Sequence, residues 1–194
     1  MTPVHVGFAM CGSFCTLQKA RSEVGRLLSQ GYEIWPIMSE ITYSLDTRFG
    51  KAGERVAELE AQCGRPVIHT IEQAEPIGPR GLLDVIAVAP CTGNTLAKLA
   101  CGLSDTSVTL ACKAHWRNGR PVVIAISSND ALAANWQNIG RLAIRKNVYF
   151  VPFTQDDPAG KPCSLVSDLS LLSPAIKAAL EGKQLQPLLQ SAST

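Results

Sequence analysis

A short loop of small polar residues is the segment of this sequence best suited to bind a ligand. It is Cys91-Thr92-Gly93-Asn94-Thr95, and it follows the apolar run 85–89. An unbroken run of valine, isoleucine and alanine predicts a strand that is buried on both faces of a parallel sheet. Pro90 follows this run, and we expect it to end the strand because proline has no N–H for a ladder hydrogen bond.

A helix is predicted directly after this loop. Leu96 and Leu99 recur at helical spacing, and Gly102 offers a stop. Asn94 or Thr95 is suited to be the N-cap residue. The first backbone N–H groups of a helix lack partners within it and lie at the positive end of its dipole, so they attract phosphate or another anion. An ordinary strand-to-helix turn explains the same residues without a ligand.

Small polar residues also follow two other predicted strands. Gly12-Ser13 comes after the strand 4–10, and Ser39 comes after the strand 32–38. Because ligands of open α/β sheets bind outside the carboxyl ends of the strands, these residues are candidates for the same site as the loop 91–95. The dinucleotide fingerprint Gly-x-Gly-x-x-Gly is absent, which favours a mononucleotide. A plain turn is the alternative for Gly12-Ser13.

The order of elements predicts an α/β fold, a three-layer Rossmann-like or flavodoxin-like single domain with a central, mostly parallel sheet. The domain is assigned to residues 1–183 and a C-terminal tail to residues 184–194. Further segments are predicted as helix 49–62, strand 67–69, strand 121–126, helix 131–145, last strand 148–151, polar loop 152–162 and helix 165–180 with a second segment from Pro174.

Composition argues against several classes of function. The formal net charge of +2 is too small to favour nucleic acid, and no apolar run approaches the ~20 residues of a membrane span. Seven scattered cysteines without a Cys-x-x-Cys pair favour reduced thiols in a cytoplasm. His5, His69 and His115 show no metal-ligand spacing, so we expect no metal site. Only 18% of the residues are charged, which suits burial in an oligomer.

The loop and its helix resemble the Pro-Ala-Ser-Ala-Asn-Thr segment of the homo-oligomeric flavin-containing cysteine decarboxylases, a family of flavoproteins. Cys91 and Gly93 stand where this motif has alanine. Thr92 stands for the serine of the motif. The positions that agree with the motif and with the helix and turn after it are Pro90, Asn94, Thr95, Lys98, Gly102 and Asp105.

The resemblance implies that FMN binds at this loop, with its phosphate held by the first loop of the domain. The cofactor-binding residues implied are Gly12, Ser13, Ser39, Pro90, Cys91, Thr92, Asn94 and Thr95. Asn129 and Trp136 partly resemble the family's substrate-contacting Pro-x-Met-Asn-x-x-Met-Trp segment, so Ser128 and Asn129 are expected at the substrate. Asn129 and Asp130 are equally suited to cap the helix that follows. The family also implies a homo-oligomer, either a trimer or a dodecamer built from trimers.

One functional residue of the family is missing. Its active histidine lies fourteen residues before the proline of the motif, a position that is Pro76 here (90 − 14 = 76). His69 lies seven residues earlier than this position and would need a rearrangement to replace the lost group. The catalytic residues are therefore unknown at this point.

Most of the region from Thr70 to Leu189 resembles one branch of the family, including the segments TIEQAEPIGPRGLLDVIAVAPCTGNTLAKLA and RNGRPVVIAISSNDAL. In this branch, known from spore-forming bacteria, the flavoprotein is one subunit of a two-subunit enzyme. The enzyme forms dipicolinic acid from a dihydrodipicolinate-type product of the lysine pathway. The resemblance implies FMN on this chain, NAD(P) on a partner A subunit, and the cytoplasm of the mother cell as the location.

Three functions stay open. The chain is a flavin-dependent oxidoreductase subunit, a non-catalytic flavin-binding or assembly subunit, or a flavoprotein decarboxylase that uses His69. Aromatising a dihydropyridine removes two electrons and a proton, which a flavin can accept. The candidates to hold a dianionic substrate are Ser128, Asn129, Lys98 and Arg120.

Two cysteines end neighbouring predicted strands near this loop. They are Cys11 and Cys91. Either they form a redox dithiol or they are small buried thiols.

Overall fold

A seven-stranded sheet lies at the centre of the computed structural model, which describes residues 3–191. The strands are β1 His5–Met10, β2 Glu33–Met38, β3 Val85–Cys91, β4 Val122–Ser128, β5 Val148–Phe150, β6 Phe153–Thr154 and β7 Leu165–Ser167. The order is β2-β1-β3-β4-β7-β6, and β5 also pairs with β4. Strands β1 to β5 pair in parallel, whereas β7 is antiparallel to β4 and β6. The predicted α/β class with a mostly parallel sheet is confirmed.

Helices cover both faces of this sheet. They are α1 Leu17–Ser29, α2 Glu40–Ser44, α3 Ala52–Cys63, α4 Ile71–Ala74, α5 Gly93–Cys101, α6 Ser107–Arg117, α7 Trp136–Ala143 and α8 Leu172–Leu180. One buried cluster packs α5, α6 and α7 on one face, and a second packs α1, α3 and α8 on the other. The predicted three layers are therefore present. No helix within residues 3–191 is long and apolar enough to cross a bilayer.

The central strand differs from its prediction at Pro90. Strand β3 continues through this proline to Cys91, so the expectation that Pro90 ends the strand is wrong. The ladder with β4 shifts its register between Val88 and Cys91, and Cys91 then pairs with Ile126. The missing N–H of the proline therefore falls in an irregular part of the ladder, where it costs no regular hydrogen bond.

The helix predicted for residues 131–145 begins only at Trp136, and its N-cap residue is Asn135. Turns occupy residues 129–135 because Asp130 forms two hydrogen bonds with Asn135. The Asp130 carbonyl oxygen accepts from the Asn135 backbone N–H at 3.2 Å, and the Asp130 carboxylate accepts from the Asn135 side-chain amide at 2.8 Å. Asn129 and Asp130 are therefore not the N-cap of this helix, contrary to the predicted capping role.

The C-terminal third also contains more strand than predicted. Strand 148–151 is not the last, because β6 and β7 follow it, and β7 replaces the start of the helix predicted for residues 165–180. Pro174 lies in the first turn of α8, where its missing N–H is not needed. The predicted strand 67–69 is reduced to a single bridge between Ile37 and Ile68.

Part of the predicted tail packs on the sheet. The Gln184 side chain accepts from the Phe150 N–H at 2.8 Å and donates to the Phe150 carbonyl oxygen at 2.7 Å. Leu189 forms a bridge with Phe153. Residues 192–194 lie outside the described residues.

Ser167 joins the parallel and antiparallel parts of the sheet. Its buried hydroxyl accepts from the Ile126 N–H at 2.8 Å and donates to the Val151 carbonyl oxygen at 3.1 Å. This one side chain therefore satisfies two backbone groups at the point where β4 stops pairing with β5 and begins to pair with β7.

Replacing this hydroxyl tests how firmly β7 is attached. We expect Ser167→Ala to lower the free energy of unfolding by about 1–3 kcal/mol, because it leaves buried backbone groups without partners. Ser29→Ala is the matched control, since Ser29 is exposed at the end of α1 and its loss should cost within about 0.5 kcal/mol. Urea unfolding measures the free energy of unfolding of both variants. Equal values for Ser167→Ala and Ser29→Ala would contradict the role given to Ser167.

Candidate functional site

The loops that carry the predicted site residues meet at the carboxyl edge of the sheet. Strands β1 and β3 are adjacent, and the Cys11 N–H donates to the Pro90 carbonyl oxygen at 3.3 Å just beyond their regular ladder. Ser39 follows β2, and its N–H donates to the Met10 carbonyl oxygen at 3.0 Å. Parallel pairing thus brings residues 11–13, Ser39 and the loop 91–95 to one edge, as predicted.

The N-cap residue of α5 lies two or three positions before the predicted ones. Thr92 is the N-cap residue, since it has extended backbone angles and its hydroxyl accepts from the Thr95 N–H at 3.3 Å. The prediction of Asn94 or Thr95 as the N-cap is wrong, because the helix already includes Gly93. The predicted stop at Gly102 is confirmed by its left-handed φ of 73°.

Unpaired backbone donors lie at this edge of the sheet. The N–H groups of Gly93 and Asn94 have no acceptor among residues 3–191, and neither does the N–H of Gly12. Free N–H groups in two neighbouring loops suit an anion or a carbonyl oxygen of a ligand.

A cavity of about 540 Å³, here called the β1–β2 cavity, opens beside these donors. It is lined by five of the predicted cofactor residues and by charged side chains that include Glu40, Lys98 and Asp105. The five are Gly12, Ser39, Thr92, Asn94 and Thr95. Its size lies within the range of small-molecule sites.

A second cavity of about 430 Å³, here called the β1–β4 cavity, lies between the ends of β1 and β4. Both predicted substrate residues, Ser128 and Asn129, line it together with Ser13. Gly12 and Thr92 line both cavities, so the two spaces are neighbours.

Three hydroxyl groups form a cluster on the wall of the β1–β4 cavity. Ser13 Oγ lies 2.8 Å from Ser127 Oγ and 3.0 Å from Thr16 Oγ1, and Thr16 Oγ1 lies 3.1 Å from Ser127 Oγ. Thr16 and Ser127 were not among the predicted site residues. Their hydroxyl-bearing types at the start of α1 and near the end of β4 were a visible signal, but only the fold places them beside Ser13.

Other predicted residues lie away from both cavities. Cys91 is buried under the loop, and Arg120 precedes β4 at the opposite edge, where its guanidinium donates to the Gly81 and Leu83 carbonyl oxygens. Arg120 is therefore not available to a ligand at the carboxyl edge. His69 stacks on the Tyr43 ring, with 3.6 Å between ring centroids, and lines neither cavity.

The cysteines of the two loops are protonated thiols. Burial raises the pKa of Cys11 to about 11, although hydrogen bonds from Thr95 and Thr92 oppose the shift. Burial, with Cys11 and Cys112 nearby, also raises the pKa of Cys91 well above its usual value. Thiols that stay protonated at neutral pH are poor nucleophiles, so the geometry favours small buried thiols over a redox dithiol.

A polar network is packed against Gly93. Asp130 accepts from the Ser128 hydroxyl at 2.5 Å and from the Asn135 amide at 2.8 Å. A Cβ atom at position 93 would lie 2.5 Å from Asn135 Nδ2 and 2.7 Å from Asp130 Oδ1 and Ser128 Oγ. Position 93 carries alanine in the motif that the loop resembles, so this network occupies the space of that methyl group. The Asp130 carboxylate also lies near the positive end of α5.

Comparison with known proteins identifies the family. Residues 1–166 match the family model described as Flavoprotein. The chain belongs to the Flavoprotein family.

Two close relatives of this flavoprotein are B subunits of dipicolinate synthase. The subunit from Bacillus subtilis (strain 168) is 44% identical over 185 residues, which cover 95% of this chain and 92% of the relative. The crystal structure of the subunit from Bacillus halodurans C is 40% identical, covers 100% of both chains and has a TM-score of 0.90. The narrower resemblance inferred from residues 70–189 is thereby confirmed.

More distant flavoproteins share the fold. The structure of Burkholderia xenovorans DmrB in complex with FMN has a TM-score of 0.68 at 18% identity, over 92% of this chain and 96% of that chain. The FMN-dependent cysteine decarboxylase SpaF has a TM-score of 0.65 at 22% identity, over 91% and 97% of the two chains. At these identities the likeness concerns the fold alone.

A methyl group at position 93 tests the network. We expect Gly93→Ala to lower the free energy of unfolding by about 1–3 kcal/mol, because Ser128, Asp130 and Asn135 must all move. Gly140→Ala is the control: it lies inside α7, its Cβ would meet nothing within 4 Å, and it should stabilise by about 0.5–1 kcal/mol. Chemical denaturation measures both variants. A Gly93→Ala protein as stable as the wild type would show that these three side chains can move without a loss of stability.

Proposed function

We propose that this flavoprotein is the flavin-binding subunit of a dipicolinate synthase and that its cofactor is FMN. The observation that carries the proposal is the lining of the β1–β2 cavity, where five residues implied by the resemblance to flavoproteins meet. The B subunits of Bacillus species, similar over almost the whole chain, support the assignment to this enzyme.

The residues of the β1–β2 cavity fit a flavin mononucleotide. Free N–H groups of Gly12 and Asn94 and hydroxyl groups of Ser39 and Thr95 border one space of about 540 Å³. Such donors suit the phosphate, the ribityl chain or the ring carbonyls of FMN. Lys98 adds a positive charge on the same wall, although Asp105 holds it at 2.8 Å.

The chemistry divides between the cofactor and the protein. Bound FMN would accept the two electrons that are removed when a dihydropyridine becomes aromatic. The chain must then bind the substrate beside the cofactor and take up a proton. Ser128 and Asn129 in the neighbouring β1–β4 cavity are our substrate-binding candidates.

A carboxylate is the best-placed proton acceptor. No histidine lines either cavity, and the position of the decarboxylase family's histidine is Pro76. Glu40 is the one carboxylate lining these cavities that forms no ion pair within the described part of the chain. The Ser107 N–H donates to Glu40 Oε1 at 2.9 Å and orients it. We therefore propose that Glu40 accepts the proton that the substrate loses when its ring becomes aromatic.

The same proposal includes partners and a location. We infer an A subunit that supplies NAD(P), and a homo-oligomer that is either a trimer or a dodecamer built from trimers. The location we infer is the cytoplasm of the mother cell in a spore-forming bacterium. Exposed apolar side chains near the β1–β2 cavity support burial by another subunit; Ile41 is 55% exposed and Leu103 is 53% exposed.

A second candidate is a non-catalytic flavin-binding or assembly subunit. The missing histidine favours it, because the decarboxylase chemistry of the family lacks its acid or base here. A decarboxylase that uses His69 has less support, since that ring is stacked on Tyr43 and lies outside both cavities.

Reconstitution separates these functions. The purified chain, an A subunit with NAD(P) and a dihydrodipicolinate-type precursor should form dipicolinate only when both subunits are present. Ser39→Ala should weaken FMN binding by about 10-fold, through the loss of one hydrogen bond, and lower the rate at limiting FMN. Ser44→Ala, on the exposed end of α2, should leave both unchanged.

Two results of the reconstitution would contradict a catalytic flavin-binding subunit. Full dipicolinate output from the A subunit alone would exclude a catalytic role for this chain. Loss of flavin with unchanged output would favour the assembly subunit.

A further inference from the structure

The β1–β4 cavity has charged side chains that the flavin does not require. Three charged residues line it: Arg48, Asp156 and Lys161. Two cations against one carboxylate leave the lining with an excess of one positive charge. Arg48 belongs to the segment between α2 and α3, whereas Lys161 belongs to the segment between β6 and β7. Two distant parts of the chain therefore each bring a cation to one space.

Arg48 is available to a ligand. It forms no ion pair within residues 3–191, and its guanidinium lies over the Phe49 ring at 4.9 Å from the centroid. A planar guanidinium held against an aromatic ring keeps its N–H groups free at the edge, where they match a carboxylate in a two-pronged arrangement.

Lys161 is held in place by Asp156. Its Nζ lies 3.3 Å from Asp156 Oδ2. Burial alone would raise the pKa of Asp156, but hydrogen bonds from Ser164 and Lys161 outweigh it and lower this pKa. The pair therefore stays ionised at neutral pH, and Lys161 is fixed at the wall with further donors on its ammonium group.

The remaining lining suits a flat polar ring. Phe14 and Phe49 present aromatic surfaces to the cavity, and the hydroxyl cluster of Ser13, Thr16 and Ser127 presents groups that both donate and accept. A small planar ring with two carboxylates uses each of these features: the aromatic rings pack on its face, and the cations meet its charges.

We infer that Arg48 and Lys161 are the specificity-determining residues for a cyclic dicarboxylate, each binding one of its carboxylates in the β1–β4 cavity. This inference rests on the proposed function, which places the flavin in the adjacent β1–β2 cavity. A phosphate group of the cofactor is the other source of negative charge at this edge of the sheet. The test must therefore separate the two anions.

Calorimetric titration with pyridine-2,6-dicarboxylate and with pyridine-2-carboxylate is the test. The FMN-loaded wild-type protein should bind the dicarboxylate at least about 10-fold more tightly than the monocarboxylate. Arg48→Gln should weaken dicarboxylate binding by about 10-fold or more and reduce this discrimination, and Lys161→Gln should act in the same direction. Lys146→Gln, an exposed cation outside both cavities, controls for the change in net charge.

The amount of FMN retained by each variant decides between the anions. Unchanged FMN content with weakened dicarboxylate binding supports the inference. Loss of FMN with unchanged dicarboxylate binding would assign the cations to the phosphate and overturn it, as would a wild-type protein that binds FMN but no dicarboxylate. If the wild type retains no FMN, the proposed function fails, and titration of the flavin-free protein still tests the two cations by the same fold-changes.

Discussion

The parallel pairing of β1 with β3 determines where the candidate site residues lie. This pairing runs from Val6 opposite Val85 to Ala9 opposite Val88, in the middle of the sheet and fully buried. Since both strands point the same way, the loops that follow them must lie side by side. The Gly12 turn and the start of α5 consequently share one edge, and the hydrogen bond from the Cys11 N–H to the Pro90 carbonyl oxygen holds them together. The placement of the candidate site residues depends on that register.

Neutral hydrogen-bond donors line both cavities beside the charged side chains. The walls of the two cavities include hydroxyl groups and free N–H groups, and the buried thiols of Cys11 and Cys91 beneath them stay protonated. Neutral donors can hold a phosphate or a flavin ring without the desolvation cost of buried cations. The exposure of the charged side chains varies: Lys161 is half-exposed, whereas Lys98 is 22% exposed.

Local patterns in the sequence predicted the parallel core well. The apolar run 85–89, the helical spacing after it and the stop at Gly102 each depend on neighbours in the chain, and each has the expected structure. The errors came where tertiary contacts decide. A register shift lets β3 continue through Pro90, and Asp130 holds a turn where a helix was expected.

The site was predictable only in part for the same reason. The loop motif supplied Thr92, Asn94 and Thr95 because a motif preserves spacing along one segment. Gly12 and Ser39 were predicted because each follows a predicted strand. Thr16 and Ser127 come from different elements, and their hydrogen bond joins residues that are 111 positions apart. Arg48 and Lys161 likewise belong to irregular segments without periodicity. No local signal indicates that such residues share a cavity.

Flavin binding is the central claim, and the visible absorption spectrum tests it most directly. The purified protein is mixed with FMN, desalted and measured beside a sample that received no FMN. We predict bands near ~370 and ~450 nm that survive desalting, with about one flavin per chain, as expected for a cofactor held in the β1–β2 cavity. A protein that emerges colourless after desalting would contradict the claim and leave only the fold.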